Sequence, residues 1–401
     1  MGWGSKFAIV LCASAMAILG AAVSAHAADK PIIIGLATSK TGWLGAYDED
    51  GAKALRIAVD DINAKGGLLG RQVQVVQADS KTDPQEAFKA ATEVIQEGAN
   101  FVIAPCDFDI GGPASLAAEN AGILSMSICA GSPKFGPQGV GPLTYTISLT
   151  AHAEGVLLAG WAKKQGWYKP YLLMDTNLVY NRTQCGGFRW RWKSISPNNP
   201  IVGDDSFKQD DPSIAAQVSR IKATNPKPSV IIICAAGPGA VSAVRQIANT
   251  DPGIPILMGP AMDGNYWLNA VPNLSNFHMF VHGSIFGDDP NPVVNDLVGR
   301  FKKKYGTGPA TSYPILGYSV AQAYAIAVTR AGSTDATKVS AELDKFKDEP
   351  LLAGPRTYTK DVHIQRTWRG LEMKIENGKV SSTGQYYTTA VPVPVDMLFK
   401  E

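Results

Sequence analysis

Ile32-Ile33-Ile34-Gly35-Leu36 opens, and Val59-Asp60-Asp61-Ile62-Asn63-Ala64-Lys65-Gly66-Gly67-Leu68-Leu69-Gly70 closes, the stretch from which the fold of this chain is read. The first run is continuously apolar apart from one glycine, the pattern of a strand buried on both faces. From Gly51 to Asn63 the apolar residues fall at Ala52, Leu55, Ala58, Val59 and Ile62, one stripe of a helix. Gly66-Gly67 stops that helix, because glycine takes the left-handed C-terminal cap at little cost. Val73 to Gln77 is then the next strand.

Outward from this unit the alternation repeats. Asp83-Pro84 opens a helix through Val94-Ile95, with Asp at the cap and Pro in the first turn. Phe101 to Ala104 reads as a strand, Pro113 to Asn120 as a helix and Ile123 to Met126 as a strand. A second series gives a helix over Ala153 to Gln165 and strand Tyr171 to Met174. A helix over Gly187 to Lys193 and a short strand at Ile201-Val202 come next. Ser213 to Ala223 and Ala240 to Ala248 read as helices around strand Val230 to Ile233, and Ile256 to Met258 is a further strand. Pro290 to Tyr305, Pro314 to Ala331 and Val339 to Phe346 read as helices, and Gly370 to Glu376 and Gln385 to Val391 as strands. Such alternation predicts α/β architecture with parallel sheets covered on both faces. Two series of similar size predict two lobes, not one large sheet.

The chain has 401 residues, 45% hydrophobic and 18% charged, with a formal net charge of +2. That balance lacks the basic footprint of a nucleic-acid binder, so no nucleic-acid partner is expected. Forty glycines and 26 prolines without a period exclude collagen. At the N-terminus Lys6, an apolar run from Phe7 to about Val23, and Ala25-His26-Ala27 form an export signal with cleavage after Ala27. The run is near the lower limit for spanning a bilayer. Leu11 before Cys12 does not fit a lipoprotein signal. Four cysteines follow: Cys106, Cys129, Cys185 and Cys234. Their order favours pairing Cys106 with Cys129 and Cys185 with Cys234, with buried free thiols as the alternative. No Cys/His cluster of metal-ligand spacing occurs, so neither metal nor cofactor is expected.

Ligands of open parallel sheets bind beyond the C-terminal strand ends, at helix N-termini. The candidate residues are therefore Trp43 and Tyr47 after the first strand, then Cys106, Asp107, Phe108 and Asp109 after the third. Cys129, Ala130 and Gly131 follow the fourth strand. In the second series the equivalents are Asp175 to Asn177 with Tyr180, then Ala235, Ala236 and Gly237, then Gly259-Pro260-Ala261-Met262-Asp263. Trp43 and Tyr47 suit stacking on a ligand, and Asp107 suits capping the following helix as well as binding. No catalytic residue is expected, since Gly-x-Ser-x-Gly, Walker and His-Glu-x-x-His sequences are all missing. His278 and His282 lie in a strand-like segment, where i and i+4 stand about 13 Å apart, so they read as structural. Arg189-Trp190-Arg191-Trp192-Lys193 reads as lobe packing with its Arg heads in water.

Gly42 to Gly51, Asp60-Asp61-Ile62-Asn63-Ala64-Lys65-Gly66-Gly67-Leu68-Leu69-Gly70, Asp83-Pro84, Leu257 to Pro260 and Gly354-Pro355 together carry a resemblance. From about Pro31 onward the chain resembles the leucine/isoleucine/valine-type (type I) periplasmic solute-binding proteins of ABC transporters. That resemblance implies two Rossmann-like lobes joined by a three-segment hinge, with crossovers near Thr150, His282 and Tyr358. The lobes would comprise 28–150 with 283–357, and 151–282 with 358–401, after the export segment 1–27. Tyr47, Tyr180 and Tyr313 match ligand-contacting aromatics. The loops Cys106-Asp107-Phe108 and Cys129-Ala130-Gly131 match those that hold an α-carboxylate through backbone N–H and hydroxyl groups. Phe108 and Gly131 stand where Ser and Thr are usual, Ala261 where the ammonium-accepting Glu is usual, and Thr82 at one expected cysteine. Asp107 or Asp263 could serve the ammonium instead. The expectation is a monomeric, non-enzymatic periplasmic carrier for an inner-membrane permease. It would bind a small polar, aromatic or carboxylate solute through Trp43, Tyr47, Phe108, Tyr180 and Tyr313. A ligand sensor of the same fold is the alternative.

Overall fold

The structure is a computed structural model that describes residues 1–2 and 30–399; the export segment read over Lys6 to Ala27 lies outside them. From Pro31 onward the chain forms one compact unit. Its first half alternates β1 (Ile32–Leu36), α1 (Gly45–Ala64), β2 (Val73–Gln77), α2 (Pro84–Gln96), β3 (Phe101–Ala104), α3 (Phe108–Asn120), β4 (Leu124–Ser127) and β5 (Thr144–Thr146). The five strands pair in the order β2-β1-β3-β4-β5, all parallel, with Ile34 opposite Val75 on one side and Phe101 on the other.

The second half continues with α4 (Ala151–Lys164), β6 (Pro170–Asp175), α5 (Val179–Ile195), β7 (Gly203–Phe207), α6 (Ala215–Ala223), β8 (Val230–Cys234), α7 (Gly237–Thr250), β9 (Ile256–Met258) and β10 (Phe277–Val281). Then come α8 (Pro292–Tyr305), α9 (Tyr313–Ala331), α10 (Ala336–Leu343), β11 (Arg369–Glu376), β12 (Lys379–Thr388) and α11 (Val395–Leu398). The second sheet runs β12-β11-β10-β9-β8-β6-β7, parallel from β10 to β7 and closed on its other side by the antiparallel pair β11 and β12. Counted within itself, its parallel part has the same winding as the first sheet. The second strand lies outside the first, and the third, fourth and fifth follow on the other side.

The apolar runs explain this architecture. Val230 to Cys234 and Phe101 to Ala104 are wholly buried, as central strands covered on both faces must be. One core joins β1 to β5 with Tyr313, Leu316, Val320 and Tyr324 of α9 and with Tyr358, so the late helices return to the first sheet. Two further cores, one on each face, cover the second sheet.

Several boundaries differ from the sequence reading. Helix α3 begins at Phe108, not Pro113, because the Asp107 carboxylate accepts from the N–H groups of Asp109 and Ile110 and starts the helix earlier. Helix α5 extends back to Val179, with Gly186-Gly187 in mid-helix. Strand β7 is Gly203–Phe207, not Ile201-Val202. It is a polar edge strand whose Asp204 and Asp205 pair with Arg189 and Arg220, so apolarity marks only its lead-in. The three-residue β5 has no apolar run to reveal it, and β12 ends at Thr388 instead of reaching Val391. Helix α10 starts at Ala336 because Asp335 caps it.

Candidate functional site: a cage at two switch points

In a sheet wound 2-1-3-4-5, the loops after the first and third strands diverge and leave a crevice between them. Here that happens twice, and the two crevices face each other. The first sheet contributes Trp43, Leu44 and Tyr47 after β1, and Cys106 and Asp107 after β3. The second sheet contributes Leu178 and Tyr180 after β6, and Ala236 after β8. Cys129, Ala261 and Tyr313 complete the wall of a chamber of about 30 Å³. A water molecule needs at least about 10–15 Å³ by this measure, so the chamber suits a group of a few heavy atoms. Trp43 also borders a second, outer cavity of about 570 Å³, lined by Gly237, Pro238, Val241, Arg245, Tyr266 and Trp267 among others.

The aromatic rings are set at right angles. Trp43 and Tyr47 have centroids 6.0 Å apart and an interplanar angle of 86°, and Tyr47 and Tyr313 lie 5.3 Å apart at 72°. Each tyrosine hydroxyl already donates to the protein. Tyr47 donates to the Ala261 carbonyl at 2.8 Å, Tyr313 to the Pro260 carbonyl at 3.2 Å, and Tyr180 to Glu154 Oε2 at 2.6 Å. The first two bonds tie the lobe built on the first sheet to the lobe built on the second.

Several backbone donors of the site are also committed, and to the protein's own carboxylates. Asp107 takes Asp109 N and Ile110 N, and Asp48 takes Cys106 N and Ser39 N. Asp109 Oδ2 takes Val179 N, at the first residue of α5. Burial pushes Asp48 and Asp107 up to about 7, with the nearby Asp109 charge adding to the effect at Asp107. The Cys106-Asp107-Phe108 loop, expected to grip a carboxylate by N–H groups, therefore carries carboxylates of its own.

Glu154 and Gln184, which the sequence reading did not single out, lie just beyond this wall. Both Tyr180 and Gln184 donate to Glu154 Oε2, each at 2.6 Å. Burial raises the Glu154 carboxyl to about 8, against the effect of those two bonds. A proton on Oε1 leaves Oε2 free to accept both. Glu154 stands in an unbroken buried segment, Ala151 to Ala159, and a lone acid in such a run is the signal that could have found it.

Five of the sequence candidates lie elsewhere. Phe108 turns from the chamber to pack edge-on against Phe135, with centroids 5.5 Å apart. Ala130 is buried with its N–H on Ser127 Oγ. At Gly131 a Cβ would stand 3.3 Å from the Tyr180 ring and 3.2 Å from Ala151 N, so the missing hydroxyl makes room for Tyr180. Asp263 accepts from both Ser312 N and Oγ, and burial pushes its carboxyl up to about 6. Gly237 borders the outer cavity instead. Its φ is +62°, and a Cβ there would stand 3.1 Å from the Trp43 ring.

Cys106 is bonded to Cys129 and Cys185 to Cys234, with Cα separations of 4.7 and 5.8 Å. The first bridge forms part of the chamber wall. Among the described residues no His, Cys, Asp or Glu group has the spacing of a metal site. His278 lies on β10 beside Glu372, at 3.4 Å, and Trp192 of the basic-aromatic run is buried with its indole N–H on the Asn199 carbonyl.

Residues 31–379 match the family model described as periplasmic binding protein. The Leu/Ile/Val-binding protein BraC3 of Rhizobium johnstonii is 23% identical over 87% of this chain and 92% of its own. Two solved structures share the fold. The branched-chain amino acid transporter substrate-binding protein LivJ of Streptococcus pneumoniae, in complex with isoleucine, has a TM-score of 0.76 and 22% identity, over 90% of this chain and all of that one. An ABC-transporter solute-binding protein from R. palustris, in complex with benzoate, has a TM-score of 0.71 and 18% identity, over 91% and 98%. The match to the family model over most of the chain, on a fold of two facing α/β lobes, makes this protein a member of the periplasmic binding protein family.

Proposed function

We propose that this protein is the periplasmic solute-binding component of an ABC import system. It takes a small organic solute, amino acid-like or aromatic, in the cleft between its lobes and presents it to an inner-membrane permease. The observation that carries this reading is the chamber itself. Its wall is drawn from the strand ends of both sheets, and Tyr47 on one side bonds to Ala261 on the other. A solute held there favours the closed arrangement by contacting both lobes at once, and the free energy of that difference drives closure. The lobes that move are 28–150 with 283–357, and 151–282 with 358–401. Membership of a solute-binding family supports a carrier that returns its solute unchanged and acts as a monomer. Export with cleavage after Ala27 is part of the same proposal.

Thermal-shift screening of a broad solute panel, followed by small-angle scattering with each hit, tests the reading. A hit that raises the melting temperature and compacts the particle is expected. Stabilisation with no compaction by any hit would refute closure. Mass spectrometry of the periplasmic protein should give an N-terminus at Ala28.

A further inference from the structure

We propose that the inner chamber is a cage for the headgroup of a small organic cation, an amine or methylated ammonium, with the rest of the solute extending past Trp43 into the outer cavity. The inference rests on the solute-binding reading above and names the class of solute.

Three observations converge on it. The first is the aromatic wall. Trp43, Tyr47, Tyr180 and Tyr313 line the chamber, and the Trp43–Tyr47 and Tyr47–Tyr313 pairs meet at 86° and 72°. Ring faces carry negative potential and attract a desolvated cation. The second is the polar inventory. The three tyrosine O–H groups are spent on Ala261, Glu154 and Pro260. The N–H groups of Asp109 and Ile110 in α3 and of Val179 in α5 are spent on Asp107 and Asp109. Among the lining side chains the Trp43 indole N–H is the donor outside these bonds, and no cationic side chain joins it, so positive charge must come from the solute. The third is charge. No Lys, Arg or His lines the chamber, whereas Asp107 does. A carboxylate placed there would lose its hydration with no cationic side chain to replace it.

The chamber's 30 Å³ limits what enters to a headgroup, and Trp43 borders the 570 Å³ cavity where a tail can lie against Pro238, Val241 and Trp267.

Titration calorimetry on the whole mature protein tests this with tetramethylammonium, choline, the neutral choline isostere 3,3-dimethylbutan-1-ol, leucine and benzoate. The cations should bind, and the isostere should bind at least about tenfold more weakly than choline, the range set by a desolvated cation on aromatic rings. Trp43→Leu should weaken choline binding by about tenfold, and Trp43→Phe should restore part of the loss. Equal binding of choline and its isostere overturns the inference. So does binding of leucine or benzoate with no cation response, and both results leave the carrier reading intact. If neither these probes nor the broad panel shifts the melting temperature, both readings fall together.

Discussion

Removing one oxygen atom from Tyr47 should weaken solute binding without weakening the fold. Tyr47 lies on α1 and is only 4% exposed, and its hydroxyl reaches the Ala261 carbonyl of the opposite lobe at 2.8 Å. In Tyr47→Phe that carbonyl, on a buried residue, loses its donor in the closed form. In an open form the same carbonyl meets water. A net hydrogen bond contributes about 0.5–1.5 kcal/mol, and an unpaired buried acceptor costs about 1–3 kcal/mol. A loss of about 1–2 kcal/mol confined to the closed state lowers the closed population, and so apparent affinity falls by about 5–30-fold. Titration calorimetry against any confirmed solute reads the affinity, and urea unfolding without solute checks the fold. Tyr313→Phe provides an internal scale, since its bond to Pro260 is longer, at 3.2 Å, and should matter less. An affinity within twofold of the parent for Tyr47→Phe would refute the idea that this bond belongs to the closed state.

Replacing Cys106 and Cys129 by Ser together should lower unfolding stability by about 3 kcal/mol, from the 23-residue separation that the bridge closes; an unchanged urea midpoint would contradict this. Arg356 is buried and donates to the carbonyls of Ile147, Ala353, Gly354 and Pro355, so Arg356→Leu should cost about 3 kcal/mol in the same assay. Stability should decline as pH rises from about 5 to 8.5. Asp48 and Asp107 titrate at about 7 and Glu154 at about 8 in the folded protein, against about 4 in an unfolded chain. Across that window the native state holds the extra protons, so raising the pH favours unfolding. Glu154→Gln should flatten the slope between about pH 5 and 8, and an unaltered slope would remove Glu154 from the account.

Much of this architecture is legible in the sequence because the physics is local. A wholly apolar run such as Val230 to Ile233 has to be a strand covered on both faces, and Asp83-Pro84 marks a helix start by side-chain capping and fixed φ. Once parallel sheets are recognised, the strand ends follow, which is why Trp43, Tyr47 and Tyr180 stand out before any coordinates. What stays hidden depends on partners remote in sequence. Nothing near Phe108 announces Phe135, and nothing near Gly131 announces the Tyr180 ring that needs its space. Glu154 is hidden for a different reason: an acid on a helix ordinarily faces water, and only the packing of α4 against α5 encloses this one. Asp107 shows the limit of residue type as a guide. The residue caps α3 with its carboxylate and also borders the chamber, and sequence alone does not say which of the two roles it takes.

The segments that pass between the lobes have a mechanical consequence. Arg356 Nε reaches the Ile147 carbonyl at 2.5 Å, Tyr358 Oη reaches that of Thr146 at 2.8 Å, and Thr150 N reaches that of Gln365 at 2.9 Å. Two crossings far apart in sequence are thus stitched into one ribbon. A stitched ribbon bends and twists but does not slide along itself, since sliding would break every stitch at once. If the lobes move as proposed, such a ribbon lets them swing like the covers of a book about a common spine and resists translation of one lobe past the other. A solute between them meets walls that approach by rotation, so the parts nearest the spine come together first and those farthest from it last.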